Sequence, residues 1–392
     1  MQGALPFILA LLYAGLLFAF ASWAEGKSSE KLKSALRGPA YAFAIGVYCT
    51  TWTYYGAVGS AVADGWSYLP IYLGPILLLF GRAFLIRMID AVKSDGANSI
   101  SEFIGGRFGS SRVVAALVTI LALLGSIPYI ALQLRSLSTT FALVSGVQNI
   151  PVIACVSAGL LALWAMLYGT RRYEASSRND AVLFAVGFES VVKLIALLVV
   201  ASLAIMLFGQ ETPSVLTATS QSVATIFDPG KINADFFVFT FMSMAAIIAL
   251  PRQFYIMVIG ATSSRDVEQA RWPFVVYMLA TLLVVVPIAA AGIAFLPSSA
   301  SPDLFVLGLP LSRGHTFIAV FVFLGGLSAA TSMVLVETIA LATMVSNDLV
   351  APALLRKRAD AATADFGDTL FLARRFVIGT IMGVAHLGFA YI

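Results

Sequence analysis

Apolar residues fall along the chain in long unbroken runs, with polar residues gathered between them. A run of about 20 mostly apolar residues is long enough for a membrane-crossing helix. Ten segments qualify: 4–23, 38–61, 66–88, 113–144, 150–168, 180–208, 234–254, 272–296, 316–349 and 371–392. The runs are continuous rather than alternating, which argues against a β-barrel. The first could also be read as a signal peptide with Ala19-Phe20-Ala21 at its cleavage site. No positive residue precedes it, however, and it is longer than such an apolar core, so a retained helix fits better. Segments 113–144 and 316–349 exceed the bilayer by about ten residues and must tilt or protrude. The last run is still apolar at Ile392, as expected of a piece of a longer protein.

Some runs are interrupted. The second contains Gly46-Val47-Tyr48-Cys49-Thr50-Thr51-Trp52-Thr53-Tyr54-Tyr55-Gly56 and then Gly59, a poor helix interior rich in glycine, threonine and polar-tipped aromatics. Two readings fit: tight helix packing through small residues, or a midplane helix unwound to free its carbonyls for a solute or ion. The aromatic lining favours the second. The ninth run contains Ser328-Ala329-Ala330-Thr331-Ser332-Met333. Its hydroxyls either help hold a hard cation or bond back to their own helix.

Composition narrows the class. Of 392 residues, 60% are apolar and 11% charged, against roughly 25% charged in soluble domains. That excludes a soluble enzyme, a disordered tail and a nucleic-acid binder. Two cysteines and two histidines cannot build a disulfide framework or a Cys/His zinc site. What is left is an all-α polytopic membrane protein.

Charge gives an orientation. Of 24 lysines and arginines, 20 fall on one side of the ten runs: Lys27, Lys31, Lys33 and Arg37 after the first, and others after, or in the inner ends of, the third, fifth, seventh (Arg252, Arg265, Arg271) and ninth, reaching into the start of the tenth. Only Lys231 and Arg313 fall on the opposite side. Basic loops are cytoplasmic, so the N-terminus is expected outside.

Of the ionisable residues inside runs, where charge is costly and usually functional, four stand out: Arg135, Glu189, Lys193 and Glu337. Glu189 and Lys193 are spaced i,i+4 and can pair on one helix face, either as a neutral staple or as a charge switch beside a cavity. Arg135 requires an anion, either Glu337 or a solute carboxylate. Tyr48, Trp52, Tyr55, Tyr129 and Gln133 supply aromatic faces and a few polar groups suited to binding a small polar solute, with Arg135 at its edge. An amino acid or short organic acid fits that charge logic.

Several stretches resemble the sodium:solute symporter family over essentially the whole chain. They are Ser99-Ile100-Ser101-Glu102-Phe103-Ile104-Gly105-Gly106-Arg107-Phe108-Gly109, the Pro251 step followed by Ser263 to Arg271, and Ser346-Asn347-Asp348-Leu349. The resemblance implies a leucine-transporter-type inverted-repeat fold. Residues 1–37 would be an extra N-terminal helix and loop, 38–208 the first repeat and 234–392 an incomplete second repeat. Four cues look most like the membrane domains fused to bacterial sensor histidine kinases: the Tyr48 to Gly56 run, Gly125 to Gln133, Phe188 to Lys193 and Val336 to Leu341. A kinase domain would then follow downstream, since no phospho-accepting histidine box or ATP lid occurs here, and the location would be the bacterial plasma membrane. The resemblance further implies a sodium site at Gly46, Cys49, Ala329 and Ser332, with Thr331 as a substitute oxygen donor because Met333 stands at the second hydroxyl position. No organic cofactor is implied. Tyr48 occupies a position that is acidic in the proline-transporting branch, which argues against proline. The expected function is ion-coupled transport or sensing of a small polar metabolite. The alternatives are a receptor that binds without transporting, and proton coupling through Lys193.

Overall fold

The computed structural model describes residues 5–25, 30–147, 149–169, 180–357 and 366–389. Lys27, Arg171, Arg172, Arg178 and Arg358, counted above among the basic loops, lie outside the described residues. Within them the secondary structure is helical, with no strand.

Helix α1 spans Leu5–Glu25, and α2 runs Glu30–Ala44 and tightens into a 3₁₀ turn to Tyr48. A wide turn, Trp52–Gly56, leads into α3, Ala57–Asp64. Then follow α4 (Leu69–Phe80), α5 (Arg82–Asp95), α6 (Ile100–Arg107), α7 (Arg112–Ser145), α8 (Ile150–Gly169) and α9 (Asp180–Phe208). The second half comprises α10 (Pro213–Ile226), α11 (Ala234–Ala249), α12 (Pro251–Gln253), α13 (Ser264–Leu283), α14 (Val285–Phe295), α15 (Phe305–Ser312), α16 (Thr316–Met344), α17 (Ala351–Lys357) and α18 (Phe366–Phe389). Among the described residues, eight helical stretches are long and apolar enough to cross a membrane, or nine if the pair α10–α11, bent by 86°, counts as one.

The stretch 52–80 passes that length test as a single span, yet the chain reverses within it. Tyr72 donates to the Thr53 carbonyl at 3.0 Å, and Tyr48 donates to the Ile71 carbonyl at 2.9 Å. In a straight helix, 19 residues would separate the first pair by about 28 Å. The reversal sits at Gly65, whose φ of 61° and ψ of −107° form a combination that favours glycine. A Cβ there would also stand 2.2 Å from the Ile226 carbonyl oxygen. The 38–61 and 66–88 segments are therefore two arms of a hairpin.

Both inner breaks have local causes. After Tyr48 the helix stops at Cys49 (ψ 101°), because the following threonines offer the backbone competing partners. Thr53 donates to the Thr50 carbonyl at 2.8 Å, and the Trp52 N–H donates to Thr50 Oγ1 at 3.3 Å. The second break corrects the continuous 234–254 segment: α11 ends at Leu250, with ψ 130°. Leu250 precedes Pro251, and a residue before proline is driven out of the helical region. The chain resumes as α12 and a wide turn, Phe254–Ile259.

Helix α16 lies at the centre, its residues from Gly325 to Ala342 all buried. Leu121, Leu124, Phe237, Phe241, Leu283 and Phe376 point outward and are exposed, as the lipid-facing side of a membrane bundle requires. The basic ends meet at one end of the bundle. Arg37 binds Asp266 at 3.0 Å, Arg82 binds Glu268 at 2.5 Å, and Arg374 donates to Asn347, which donates to Glu102. At α6 the Ser99 hydroxyl caps the Glu102 N–H at 3.1 Å, and Glu102 accepts in return from the Asn98 N–H at 2.8 Å, a reciprocal cap that fixes the helix start.

Candidate functional site

The two breaks, at Cys49–Thr50 and at Leu250, lie in the bundle interior. At the first break the freed backbone groups are met by side chains from neighbouring helices; at the second, a buried arginine is met by a buried carboxylate.

At the first break the carbonyls point to α9. Lys193 Nζ donates to the Gly46 carbonyl at 2.8 Å and to the Cys49 carbonyl at 2.7 Å. Its side chain is 1% exposed. The space among Cys49, Thr53, Tyr54, Lys193, Tyr277 and Thr281 is too narrow for a water molecule. On the other side of the break, α7 caps the restarting helix. Gln133 Oε1 accepts from the Thr51 N–H at 3.1 Å and from its hydroxyl at 2.8 Å. Tyr129 and Thr50 share a hydroxyl bond of 2.7 Å.

At the second break stands Arg252, 3% exposed although it directly follows an apolar run. Its Nη1 is 2.9 Å from Glu337 Oε2, and its guanidinium carbon lies 5.2 Å from the Tyr129 ring centre. Glu337 Oε1 accepts from the Ser126 hydroxyl. Arg252 thus lies inside the bundle, a correction to its place among the basic loop residues. The side-chain amide of the adjacent Gln253 is buried, with neither its oxygen nor its nitrogen hydrogen-bonded.

Other expectations are revised. Glu189 and Lys193 do not pair. Lys193 reaches α2, while Glu189 Oε1 accepts from the Thr331 hydroxyl on α16 and its Oε2 has no partner. Lys193 satisfies two backbone carbonyls freed by the break, which are costly to leave unpaired in the interior, and the Thr331 hydroxyl meets Glu189 in its place. Arg135 is exposed on α7, so it meets neither Glu337 nor the breaks; its neighbour Gln133 takes the inward face. Thr331 engages Glu189 and its own helix at the Leu327 carbonyl, 2.9 Å, and so does not face the Gly46–Cys49 carbonyls as an oxygen donor. Ser332 bonds back to the Ser328 carbonyl at 2.7 Å, while Ala329 and Met333 are fully buried beside it. The α16 hydroxyls therefore bond mainly to their own helix.

The aromatic residues divide. Tyr48 turns towards α4. Tyr55 is buried against α16, its hydroxyl standing where a Cβ on Gly326 would be, with no hydrogen-bond partner. Trp52 is half-buried and folds back on Gly56. Tyr129 and Gln133 meet the first break directly. Arg252, Thr50, Thr51 and Ser126 are the members of the site that sequence reasoning missed.

Helix α1 packs into the same interior. Tyr13 shares a 2.5 Å hydroxyl bond with Ser328 on α16, and Leu17 is fully buried.

No family model matches the chain, and no curated protein sequence matches it. Solved structures do. One is a Na+-coupled sialic acid symporter in a substrate-bound outward-open state, with a TM-score of 0.72 and 12% identity over 99% of this chain and 82% of the symporter chain. The likeness establishes the architecture: the protein is an all-α multi-pass membrane protein with a leucine-transporter-type fold.

Proposed function

We propose that this chain binds a small polar solute between its two broken helices, as a secondary transporter or as the sensing domain derived from one, and that the Lys193 ammonium stands in for the coupling sodium. The observation that carries this reading is the pair of bonds from Lys193 Nζ to the Gly46 and Cys49 carbonyls, 2.8 and 2.7 Å. Those two carbonyls are half of the sodium site implied by the family resemblance. An ammonium offers three donors and one positive charge, so it satisfies the freed carbonyl dipoles as a cation would. Being tethered, it cannot leave with the solute. Proton loss or withdrawal of the side chain takes the place of sodium release.

Sodium coupling is the competing reading. It is supported by the fold shared with a Na+-coupled symporter and by Gly46, Cys49, Ala329 and Ser332 at the matching positions. Against it, Lys193 already engages two of those groups, and Met333 has no oxygen to offer. The test is solute uptake into proteoliposomes, or binding to the purified chain, with sodium replaced by choline. Uptake or affinity within about twofold in the two salts supports the tethered-cation reading. A tenfold or greater loss in choline, about 1.4 kcal/mol, refutes it.

The motif likeness to membrane domains of sensor histidine kinases supports a role as an input module in the bacterial plasma membrane. That reading predicts a kinase core encoded directly after Ile392. A reading frame that continues without one removes it.

A further inference from the structure

We infer that Glu337 is a built-in carboxylate that sets the charge selectivity of the solute site, so that the site takes polar solutes of no net charge and turns anions away. The inference rests on the solute-site reading above and concerns which class of solute that site accepts.

Arg252 opens the second half of a broken helix and lies against Tyr129, whose hydroxyl bonds to Thr50 at the other break. An arginine between two breaks is well suited to bind a carboxylate, because its planar fork matches one. Here that place is filled from within. Glu337 is fully buried, its Oε2 is 2.9 Å from Arg252 Nη1, and its Oε1 is held by Ser126. The other buried cation of the site, Lys193, is engaged by the Gly46 and Cys49 carbonyls. An incoming anion at Arg252 would meet the like charge of Glu337, while the ammonium of Lys193 is turned to the carbonyls of the first break. Burying an unpaired charge in such surroundings is strongly unfavourable. A zwitterion or an uncharged polar molecule adds no net charge and avoids that penalty. The unpaired amide of Gln253, beside Arg252 in sequence, adds a donor and an acceptor without adding charge.

A purely structural staple joining α7, α12 and α16 would hold the fold without affecting ligand choice, so the deciding readout is selectivity. The purified chain in detergent would be titrated with three probe sets on matched carbon skeletons: α-amino acids with uncharged side chains, their primary amide analogues lacking the amino group, and the corresponding monocarboxylates. Binding is read from the shift in thermal unfolding midpoint. The wild type should bind at least one amino acid or amide about tenfold or more tightly than its monocarboxylate counterpart. Glu337→Gln keeps the shape but leaves Arg252 without its counter-charge, and should gain about tenfold or more in monocarboxylate affinity. Arg252→Gln combined with Glu337→Gln removes both charges together, which keeps the test decisive if the single variant does not fold. The double variant should retain the preference for uncharged probes. Equal or tighter monocarboxylate binding by the wild type overturns the inference alone, as does unchanged selectivity in folded Glu337→Gln or anion preference in the double variant. A wild type that responds to none of the three probe sets overturns the solute-site reading itself.

Discussion

Replacing Lys193 by alanine tests how the first break is held. The ammonium makes two charge-assisted bonds, to Gly46 and Cys49, each contributing about 1.5–3 kcal/mol. Opposing this is the desolvation of a buried ammonium, several kcal/mol, which the alanine variant avoids. The Gly46 carbonyl keeps a second partner, the Cys49 N–H at 3.0 Å, so the larger loss falls on the Cys49 carbonyl. An orphaned buried carbonyl costs about 1–3 kcal/mol, and the variant should be destabilised by about that much. The truncated side chain also vacates the place of a monovalent cation. Sodium should therefore stabilise Lys193→Ala, by about 2.7 kcal/mol at a hundredfold excess over its Kd, enough to offset most or all of that loss. The assay is thermal unfolding of both proteins in sodium chloride and in choline chloride at matched ionic strength. Wild type should unfold at the same midpoint in both salts, and Lys193→Ala lower in choline than in sodium. A wild-type midpoint that rises in sodium, or an alanine variant as stable as wild type in choline, would refute the reasoning.

Three further outcomes are expected. Gln133→Leu leaves the Thr51 N–H and hydroxyl without their acceptor and should cost about 1–3 kcal/mol, read as a lower denaturation midpoint; an unchanged midpoint would mean that Gln133 does not cap the break. Gly65→Ala combines a positive φ with a Cβ 2.2 Å from the Ile226 carbonyl and should destabilise by more than about 1 kcal/mol, whereas Gly106→Ala, with open space around it, should not show that loss from crowding. Cysteines at the exposed positions Ala63 and Ser301 should react with an impermeant thiol reagent added outside cells, and cysteines at Ser94 and Ser110 should not; labelling at Ser94 from outside would invert the orientation drawn from the basic loops.

The spans were legible because the bilayer imposes a length and an apolar content that few other environments demand. The first break was legible too, since Gly46 and the threonines at 50, 51 and 53 announce a weak helix. The second break was hidden inside an apolar run, although Leu250-Pro251 carried the signal that closes a helix. Arg252 was lost with it: an arginine at the end of an apolar run reads as a loop residue that sets topology, and only its buried partner Glu337 reveals otherwise. Glu337 was named as one of two anions for Arg135, but the facing of α7 turns Gln133 inward and Arg135 outward, and Arg252 takes that partner instead. The i,i+4 spacing of Glu189 and Lys193 described one helix correctly and said nothing about the carbonyls opposite it. The α16 hydroxyls illustrate the same limit: their spacing fits both cation binding and back-bonding, and packing decides.

Direct measurement of sodium binding addresses the central claim that Lys193 occupies the cation position. Radiolabelled sodium would be equilibrated with the purified wild type and with Lys193→Ala, and bound label counted against unlabelled competitor. The account predicts no saturable sodium binding at this site in the wild type and saturable binding in Lys193→Ala that is lost when Ser332→Ala is added. Saturable, stoichiometric sodium binding by the wild type, abolished by Ser332→Ala, would contradict it.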